Sequence, residues 1–280
     1  MIEVKYVCSN GKEYNLIGDK LRPTDGYFHK YKWKQKATDT GMGDSVYGFS
    51  KESMTYDITF TVRGTLDGRK KQLDELTNAW EYDIVNVTPG RIYFGNYYIE
   101  CYILGMSNEV SGIWNNWTDI KVAIYCPYPF WSEEIKKDFY PDSMGKGEEY
   151  SFLEYPYGYN YDYSREKTGS QRWYIDHYRP NHFQMVVYGP CANPRITING
   201  HVYQIFETLE KGEYLVIDSR SKTVIKHLTN GTEQNIFAKR AKKSSVFELI
   251  PSGDLMIDWS GTFGFEITIY KERSVPRWIS

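Results

Sequence analysis

The sequence predicts an all-β protein with one flanking helix. Three observations support this class: β-rich runs alternate apolar and polar residues, turn dipeptides such as Asn-Gly separate the runs, and a single stretch carries apolar residues at helical spacing. The chain has 280 residues, which suffices for one large β domain or two ordinary ones. Because aromatic residues make up 17% of the chain, it can bury a real core and is not expected to be disordered.

Residues 1–130 are expected to form the first β domain. Asn10-Gly11 lies between two β-rich runs, which is a strong hairpin signal, and Gly95-Asn96 predicts a second hairpin. Two further segments alternate with the period of half-buried strands: Tyr56, Ile58, Phe60 and Val62 in the first, and Ile120, Val122 and Ile124 in the second. The second strand is expected to end at Pro127 and Pro129, which have no amide hydrogen to donate.

One stretch of this domain departs from the strand pattern. Apolar residues recur there at roughly helical spacing, with charged residues between them: Leu66, Leu73, Leu76, Trp80 and Ile84. Asp67 is placed to cap the helix at its start. The spacing predicts an amphipathic helix over residues 69–82 that lies against a sheet.

Residues 131–170 are polar, rich in tyrosine and interrupted by glycine and proline, and we expect a connector there. The start of this connector is expected to hold a short helical turn. Residues 155–163 read "YPYGYNYDY", so in an extended strand all five tyrosines point to one side. A bare apolar strip of that size is unfavourable, and we therefore expect the run to be ordered and to pack where the two domains meet.

Residues 171–280 are expected to form the second β domain. Its short apolar runs are separated by turn residues: Asn199-Gly200, 219–221, Asn230-Gly231 and Ser252-Gly253. Several short strands at regular spacing with such turns predict a β-sandwich.

The charge balance argues against a nucleic-acid binder. The formal net charge is −2, whereas proteins that grip nucleic acid carry a basic excess. The strongest basic run, "AKRAKK" at 238–243, is interpreted as a solvated loop. No apolar run has the length that a membrane-spanning helix needs, and the N-terminal residues lack the layout of a secretion signal.

Four cysteines stand at Cys8, Cys101, Cys126 and Cys191, and no two of them have CxxC spacing. Zinc and redox interpretations are therefore weak. Cys101 and Cys126 lie on predicted strands, where a cysteine behaves as a small core residue. A structural disulfide is not expected, because nothing in the sequence indicates a secreted protein.

Ser45 is the first candidate nucleophile, because "GMGDSVYG" contains the Gly-Asp-Ser that opens the nucleophile block of one esterase family. That chemistry needs a buried strand before the serine and a base such as Asp-x-x-His downstream. The preceding residues are too polar, and no Asp-x-x-His occurs in the sequence. We interpret this segment as a flexible loop between strands.

The remaining candidates lie in the second domain. Asp176, His177 and His182 are too few for a metal site, which needs more ligands at close spacing. Asp218 could be one carboxylate of a glycosidase pair, but the favoured interpretation is a turn in which it binds backbone amides of residues 219–221. We predict no catalytic, cofactor-binding or metal-binding residue and no cofactor.

Residues 186–278 resemble the C-terminal domain of the distal tail proteins of long-tailed (siphovirus-type) bacteriophages. The likeness rests on an ordered series of segments: "YGPCANPRITI", "GEYLVIDSRSKTV", "NIFAKR", "FELIPSGDLMIDWSG" and "TIYKERSVPRW". The first domain is similar more loosely, in "ITFTVRG", the Leu73/Leu76/Trp80 helix, "GRIYFGNYYIECYI" and "IKVAIYCPYPFW". Residues 31–55 and 131–150 match poorly and are expected to be loops particular to this protein.

The resemblance implies a structural protein of the virion. The first domain would be a tail-tube-like β-sandwich or half-barrel, six copies of which form a ring around a channel that passes the genomic DNA. That ring would join the tail tube to the tail-tip hub protein, also called the tail-associated protein. The second domain would be a galectin-like β-sandwich that holds receptor-binding or other baseplate proteins. The implied location is the tail tip or baseplate, after assembly in the host cytoplasm, with no membrane partner.

Two other classes were weighed against this one. A carbohydrate-binding module at the tail tip is the alternative, because galectin-like sandwiches bind sugar in other families and Trp259, Trp278 and the tyrosines offer rings for stacking. A cell-wall hydrolase would need a paired acid and base, and the sequence shows no such pair. We therefore predict that the protein is not an enzyme.

Overall fold

The computed structural model describes residues 3–26, 28–111, 116–141 and 169–277. Most described residues lie in β-strands and one α-helix occurs among them, so the predicted all-β class with a flanking helix is confirmed. The chain divides into two compact units, Met1–Glu133 with Glu272–Ser280, and Glu134–Lys271. These are called the first and the second unit below.

The first unit consists of two sheets that share one long strand. Its elements are β1 (Val4–Val7), β2 (Glu13–Asn15), β3 (Leu21–Asp25), β4 (Lys34–Asp39), β5 (Asp44–Ser50), β6 (Met54–Arg63), α1 (Leu66–Val85), β7 (Gly90–Phe94), β8 (Tyr97–Ser111) and β9 (Trp117–Cys126). β8 pairs with β7 over residues 97–101 and with β9 over residues 102–111. The sheet orders are therefore β2-β1-β7-β8 and β3-β6-β9-β8, and their buried side chains form one core with α1.

The hairpins and strands predicted for this unit are confirmed. Asn10-Gly11 lies in the turn between β1 and β2, where Gly11 has φ +86°, and Gly95 with φ +58° lies between β7 and β8. The alternating apolar side chains of β6 and β9 are all buried. β9 ends at Cys126, directly before Pro127, because proline has no amide hydrogen to continue the ladder.

The helix is present but begins and ends elsewhere than predicted. It spans Leu66–Val85, and the Thr65 hydroxyl caps it by accepting a hydrogen bond from the amide of Gly68. Asp67 lies in the first turn instead, so its prediction as the cap is wrong. Thr65 takes the cap because its extended backbone leaves its side chain opposite the unpaired amides. The buried face consists of Arg69, Leu76, Ala79, Trp80 and Asp83.

Residues 34–50, which were expected to be loop, form a separate two-stranded sheet. β4 and β5 pair from Lys34 opposite Ser50 to Asp39 opposite Asp44. Thr40–Gly43 make the turn, with Gly41 and Gly43 at positive φ. The sequence pattern missed these strands because neither has a buried face, so the apolar alternation of a half-buried strand is absent.

The second unit is a sandwich of two sheets, as predicted for this part of the chain. Its elements are the greater part of β10 (Trp131–Phe139), β11 (Gly169–Ile175), β12 (His182–Tyr188), β13 (Cys191–Ala192), β14 (Arg195–Ile198), β15 (His201–Gln204), β16 (Thr208–Leu209), β17 (Tyr214–Asp218), β18 (Thr223–His227), β19 (Glu233–Asn235), a 3-10 turn (Phe237–Lys239), β20 (Gly253–Trp259) and the greater part of β21 (Phe265–Arg273). One sheet has the order β19-β18-β17-β12-β21 and the other β11-β20-β14-β15. Apolar side chains of both sheets form the core of this unit.

The start of the predicted connector is a strand and not a helical turn. β10 carries five charged residues in nine, a pattern that favours an exposed helix. Its charges are accommodated on the sheet: Lys136 pairs with Glu266 of β21 at 2.6 Å, and the Lys137 ammonium lies 5.2 Å from the centre of the Phe139 ring. The tyrosine run 155–163 lies outside the described residues, so its packing stays a prediction.

Candidate assembly surfaces

Residues 34–50, here called the arm, form the most exposed element of the first unit. Met42 at its turn is fully exposed, and Tyr47 and Phe49 are 72% and 64% exposed. A register shift between Lys36 and Ala37 makes Tyr47 an extra residue in β5, as in a β-bulge. A two-stranded sheet without a core is marginal by itself, and exposed apolar clusters mark interaction surfaces. The arm therefore has the properties of a docking element.

A lysine and three aromatic rings, here called the clamp, fix the base of the arm. The Lys51 ammonium lies 4.4 Å from the centre of the Phe130 ring, 5.3 Å from that of Trp33 and 5.8 Å from that of Tyr31. It also donates a hydrogen bond of 2.9 Å to the carbonyl oxygen of Pro129. Cation–π attraction and a charged hydrogen bond thus act on one group. The clamp holds both ends of the arm to the segment that follows β9.

A second exposed apolar group lies at the end of α1, at Tyr82, Ile84, Val85 and Val87. Val87 has φ +52°, a region that β-branched residues rarely enter, and its side chain is nevertheless mostly exposed. Ile84, one of the apolar residues at helical spacing in the sequence, is 40% exposed, and Asp83 takes the buried position instead.

Asp83 anchors this helix end to the first strand. Its carboxylate accepts hydrogen bonds from the Tyr6 hydroxyl, from the Cys8 thiol at 3.1 Å and from the Ser9 amide at 2.9 Å. Burial, together with the bond to Asp83, raises the pKa of Tyr6. The side chain of Asp83 is fully buried, yet its lone pairs are used, which is what makes a carboxylate tolerable there. The apolar group at the helix end is therefore held at a fixed position.

The sheet edges of this unit are less open than the arm. In the part of the chain that the structure describes, β2 and β3 each pair on one side only. β2 has three residues, and β3 contains Pro23 and a register shift between Pro23 and Asp25. Short strands, prolines and bulges are the features that discourage edge-to-edge pairing. The surfaces best suited to association are therefore the arm and the helix end.

Comparison with known proteins identifies the fold. No protein-family model matches the sequence, and no curated protein matches it. Among solved structures, the Dit protein of phage SPP1, titled a paradigm of the hub adsorption apparatus in phages that infect Gram-positive bacteria, aligns with a TM-score of 0.59 at 10% identity, over 96% of this chain and 99% of that one. The phage P2 baseplate in its activated conformation aligns over 99% and 100%, with TM-scores of 0.61 with Ca and 0.62 with Sr, at 11% and 12% identity.

The chain has the fold of these phage hub and baseplate proteins. The fold expected from the resemblance to distal tail proteins is thereby confirmed. The match extends over nearly the whole length of each protein, so it includes both units of this chain.

Within that fold, Ser45 lies on the arm and is exposed. It stands opposite Thr38 in the β4–β5 ladder. Among the described residues no hydrogen bond joins its hydroxyl to a histidine or a carboxylate, the partners that would activate a serine. The flexible loop predicted for this serine is corrected to a strand of the arm.

Asp218 makes the turn that was predicted for it. Its Oδ1 accepts hydrogen bonds from the amides of Arg220 at 2.7 Å and Ser221 at 3.1 Å. The side chain therefore closes an Asx-type turn between β17 and β18, and this prediction is confirmed.

The two histidines of the second unit make local contacts. Nδ1 of His182 lies 3.2 Å from the Ser219 hydroxyl, and His177 stacks on Tyr178 with ring centres 4.4 Å apart. Within the described ranges, no three His, Cys, Asp or Glu side chains are grouped so that they could hold a metal.

Trp259 is not available for stacking on a sugar. It is 4% exposed and packs edge-on against Phe139 and Phe265, with ring centres 5.8 and 5.3 Å away. Its alternation with Leu255 and Ile257 in β20 puts it on the core face. The suggestion that it offers a ring to carbohydrate is therefore wrong, and Trp278 lies outside the described residues.

Cys101 and Cys126 are core residues of the first unit, as predicted. Burial raises the pKa of the Cys101 thiol well above its usual value and that of Cys126 to about 12, so both are held protonated. No helix in the described ranges combines the length and apolarity that a membrane span requires.

Proposed function

We propose that the protein is a structural hub of a phage tail tip. The observation that carries this proposal is the match to the SPP1 Dit protein and to a chain of the phage P2 baseplate, over nearly the whole of each chain, at 10–12% identity. A likeness confined to one unit would support a common β-sandwich. A likeness that includes both units in the same order supports a shared two-unit architecture, and the hub role is inferred from that architecture by analogy.

The first unit, in this proposal, closes into a homohexameric ring. The arm supports self-association, because Met42, Tyr47 and Phe49 stay exposed in the single chain. A contact between different surfaces of identical copies forms a closed ring when the rotation between neighbours closes. An arm that lies on the next copy is such a contact, and it would cover the apolar side chains that no described residue covers within the chain.

The proposed partners follow from the position of such a ring. One face would meet the tail-tube protein and the other the tail-tip hub protein, while genomic DNA passes through the channel. The domain division expected from the sequence, 1–130, 131–170 and 171–280, assigns the outer role to the last segment, which would hold receptor-binding or other baseplate proteins. The protein would reside in the virion after assembly in the host cytoplasm.

The proposal gives the protein no catalytic role and no cofactor. Ser45 lies on the arm, and both described hydrogen bonds of Asp218 are accepted from backbone amides of a turn. Neither environment resembles a nucleophile held beside its base.

Mass photometry of the purified protein over a range of concentrations tests the ring. The expected result is a species of six chain masses that disappears when Val46, Tyr47 and Phe49 are all replaced by serine. A control replaces exposed charged residues of the same arm, Lys36 and Asp39, by serine and is expected to retain the ring. A monomer at every concentration, also in the presence of the tail-tube protein, contradicts the proposed ring.

A further inference from the structure

A groove of about 640 Å³ lies on the second unit, beside the strands β14 and β15. The wall opposite these strands is the segment 238–244, which contains the basic run of the sequence. Arg195 and Gln204 are direct cross-strand neighbours on the strand side, and Phe206 follows β15. The basic run, interpreted from sequence as a solvated loop, is thus one side of a formed groove.

The charged residues that line this groove are all positive. Five of its lining residues are basic, and no aspartate or glutamate lines it: Arg195, Lys239, Arg240, Lys242 and Lys243. Lys239 pairs with Glu207. Within the described residues, Arg195, Lys242 and Lys243 form no ion pair. Since the whole chain carries a net charge of −2, this positive concentration opposes the overall balance and attracts anions.

The basic wall is held in place. The Phe206 amide donates to the Lys239 carbonyl oxygen at 2.8 Å, and the Ala241 amide to that of Gln204 at 3.0 Å. The Arg240 guanidinium lies 3.6 Å from the centre of the Phe237 ring and donates to the Phe237 carbonyl oxygen at 2.7 Å. Backbone pairing and stacking thus fix the wall before any ligand arrives, which lowers the entropy cost of binding.

The groove is also apolar along its length. Phe206 is 52% exposed, and Val202, Ala238 and Ala241 add further apolar surface. A ligand that carries only charge would leave Phe206 in water. A ligand that carries both carboxylates and an apolar side chain would satisfy the basic wall and cover the ring together.

We propose that this groove binds an extended acidic segment of a partner protein, with an aromatic or aliphatic side chain of that segment placed on Phe206. The proposal rests on the proposed hub function, since it names the chemistry by which the second unit would hold an outer protein. A polymer of phosphates is the competing occupant, and it is disfavoured because it has no apolar group for Phe206.

Fluorescence anisotropy with a labelled synthetic peptide tests the groove. The peptide is rich in glutamate and carries one phenylalanine, and two matched peptides replace glutamate by glutamine or phenylalanine by serine. The full-length protein is expected to bind the first peptide. Its affinity for each matched peptide is expected to be lower by about tenfold or more. Binding should weaken as salt rises, because exposed charges are screened.

Protein variants locate the binding. The double variant Lys242→Glu/Lys243→Glu and the single variant Phe206→Ala are each expected to weaken binding by about tenfold. The control Lys211→Glu/Lys222→Glu makes the same change of charge on exposed residues of this unit outside the groove and is expected to bind normally. Equal loss in the control shows that only net charge matters and overturns the proposal.

Two more outcomes overturn it: no binding at low salt, or displacement by short-chain polyphosphate whose own binding is unaffected by Phe206→Ala. The second outcome assigns the groove to phosphate polymers. Mass photometry on the same samples separates this proposal from the ring. A hexamer that binds no peptide rejects only the groove. A protein that binds the peptide but stays monomeric at every concentration, also in the presence of the tail-tube protein, rejects only the ring.

Discussion

Replacement of Lys51 by methionine is expected to release the arm while the rest of the first unit stays folded. Methionine keeps an unbranched apolar side chain between the rings of Tyr31, Trp33 and Phe130 but removes the ammonium. What is lost is the 2.9 Å hydrogen bond to the Pro129 carbonyl oxygen and the cation–π attraction to the nearest ring, at 4.4 Å.

The size of the effect follows from those two contacts. A hydrogen bond to a charged group contributes about 1.5–3 kcal/mol, and a cation–π contact at a partly exposed site contributes about 0.5–1 kcal/mol. The sulfur–aromatic contacts of methionine recover up to about 1 kcal/mol. A net loss of about 2 kcal/mol remains, which raises the opening equilibrium of the arm about thirtyfold, since each 1.4 kcal/mol is a factor of ten.

Hydrogen–deuterium exchange of peptides that cover residues 34–50 measures this opening. We expect exchange in the arm to be about thirtyfold faster in Lys51→Met, with unchanged exchange in β6 and β9. The matched control is Lys34→Met, which breaks the 2.8 Å ion pair with Glu52 at the same end of the arm. Because those side chains are 65% and 70% exposed, water screens that pair, and its loss is expected to change exchange little.

Lys51→Arg retains a cation between the rings and is expected to exchange nearly as the original protein does. If Lys51→Met and Lys34→Met accelerate exchange equally, or if neither does, the clamp does not fix the arm and the reasoning is refuted.

Three further predictions concern the buried carboxylate, the buried thiol and the rejected catalytic residues. Asp83→Ala leaves three donors without their acceptor and should lower the free energy of unfolding, measured by urea denaturation, by at least about 3 kcal/mol. The control Asp74→Ala, on the exposed side of the helix, should change it by less than about 0.5 kcal/mol. Similar values for both variants would contradict the role of Asp83 as an anchor. Burial raises the pKa of Cys126 to about 12, above that of the unfolded thiol, so its contribution to stability should be complete below about pH 8.5 and decline as pH rises toward 12, by up to about 1.4 kcal/mol per pH unit. Cys126→Ala should therefore show a shallower alkaline loss of stability, and an identical slope in both proteins would falsify this account. Replacement by alanine of Ser45, His177 or Asp218 should leave the infectivity of the assembled particle nearly unchanged. A hydrolytic activity that is lost in one of these variants would overturn the structural interpretation.

Local chemistry made the hairpins predictable. Asn199-Gly200 illustrates this, because both residues adopt positive φ, 46° and 84°, in the two-residue turn between β14 and β15. Few sequences tolerate that backbone, so the dipeptide itself carries the signal. The apolar alternation of β6 and β20 was equally informative, because each of these strands has one face in a core.

The arm, β10 and Asp83 could not be predicted in the same way. The arm has no buried face, and β10 carries charges that are paired by a neighbouring strand, so neither shows the alternation by which strands are found. In the sequence alone, Asp83 resembles an exposed helix residue. Its partners Tyr6, Cys8 and Ser9 are separated from it by 74 to 77 positions in the sequence. Such partners depend on tertiary contacts that a local pattern does not contain.

Only one of the two walls of the groove could be recognised from the sequence. The run at 238–243 supplied the basic wall. Arg195 and Phe206 lie 43 and 32 positions before its first residue, and they join it through the pairing of residues 205–206 with 239–240. A charged run alone is usually a solvated loop. The apolar surface beside it is what gives the run a possible ligand.

End-on electron-microscopy images of the purified protein test the central claim, that this chain is a ring-forming hub, most directly. The account predicts six-fold class averages with a central channel, in which density for the first unit surrounds the channel and each arm lies on the neighbouring copy. The arm variant with serine at Val46, Tyr47 and Phe49 should give single particles without a ring. Images that show only separate chains, both alone and mixed with the tail-tube protein, would contradict the account.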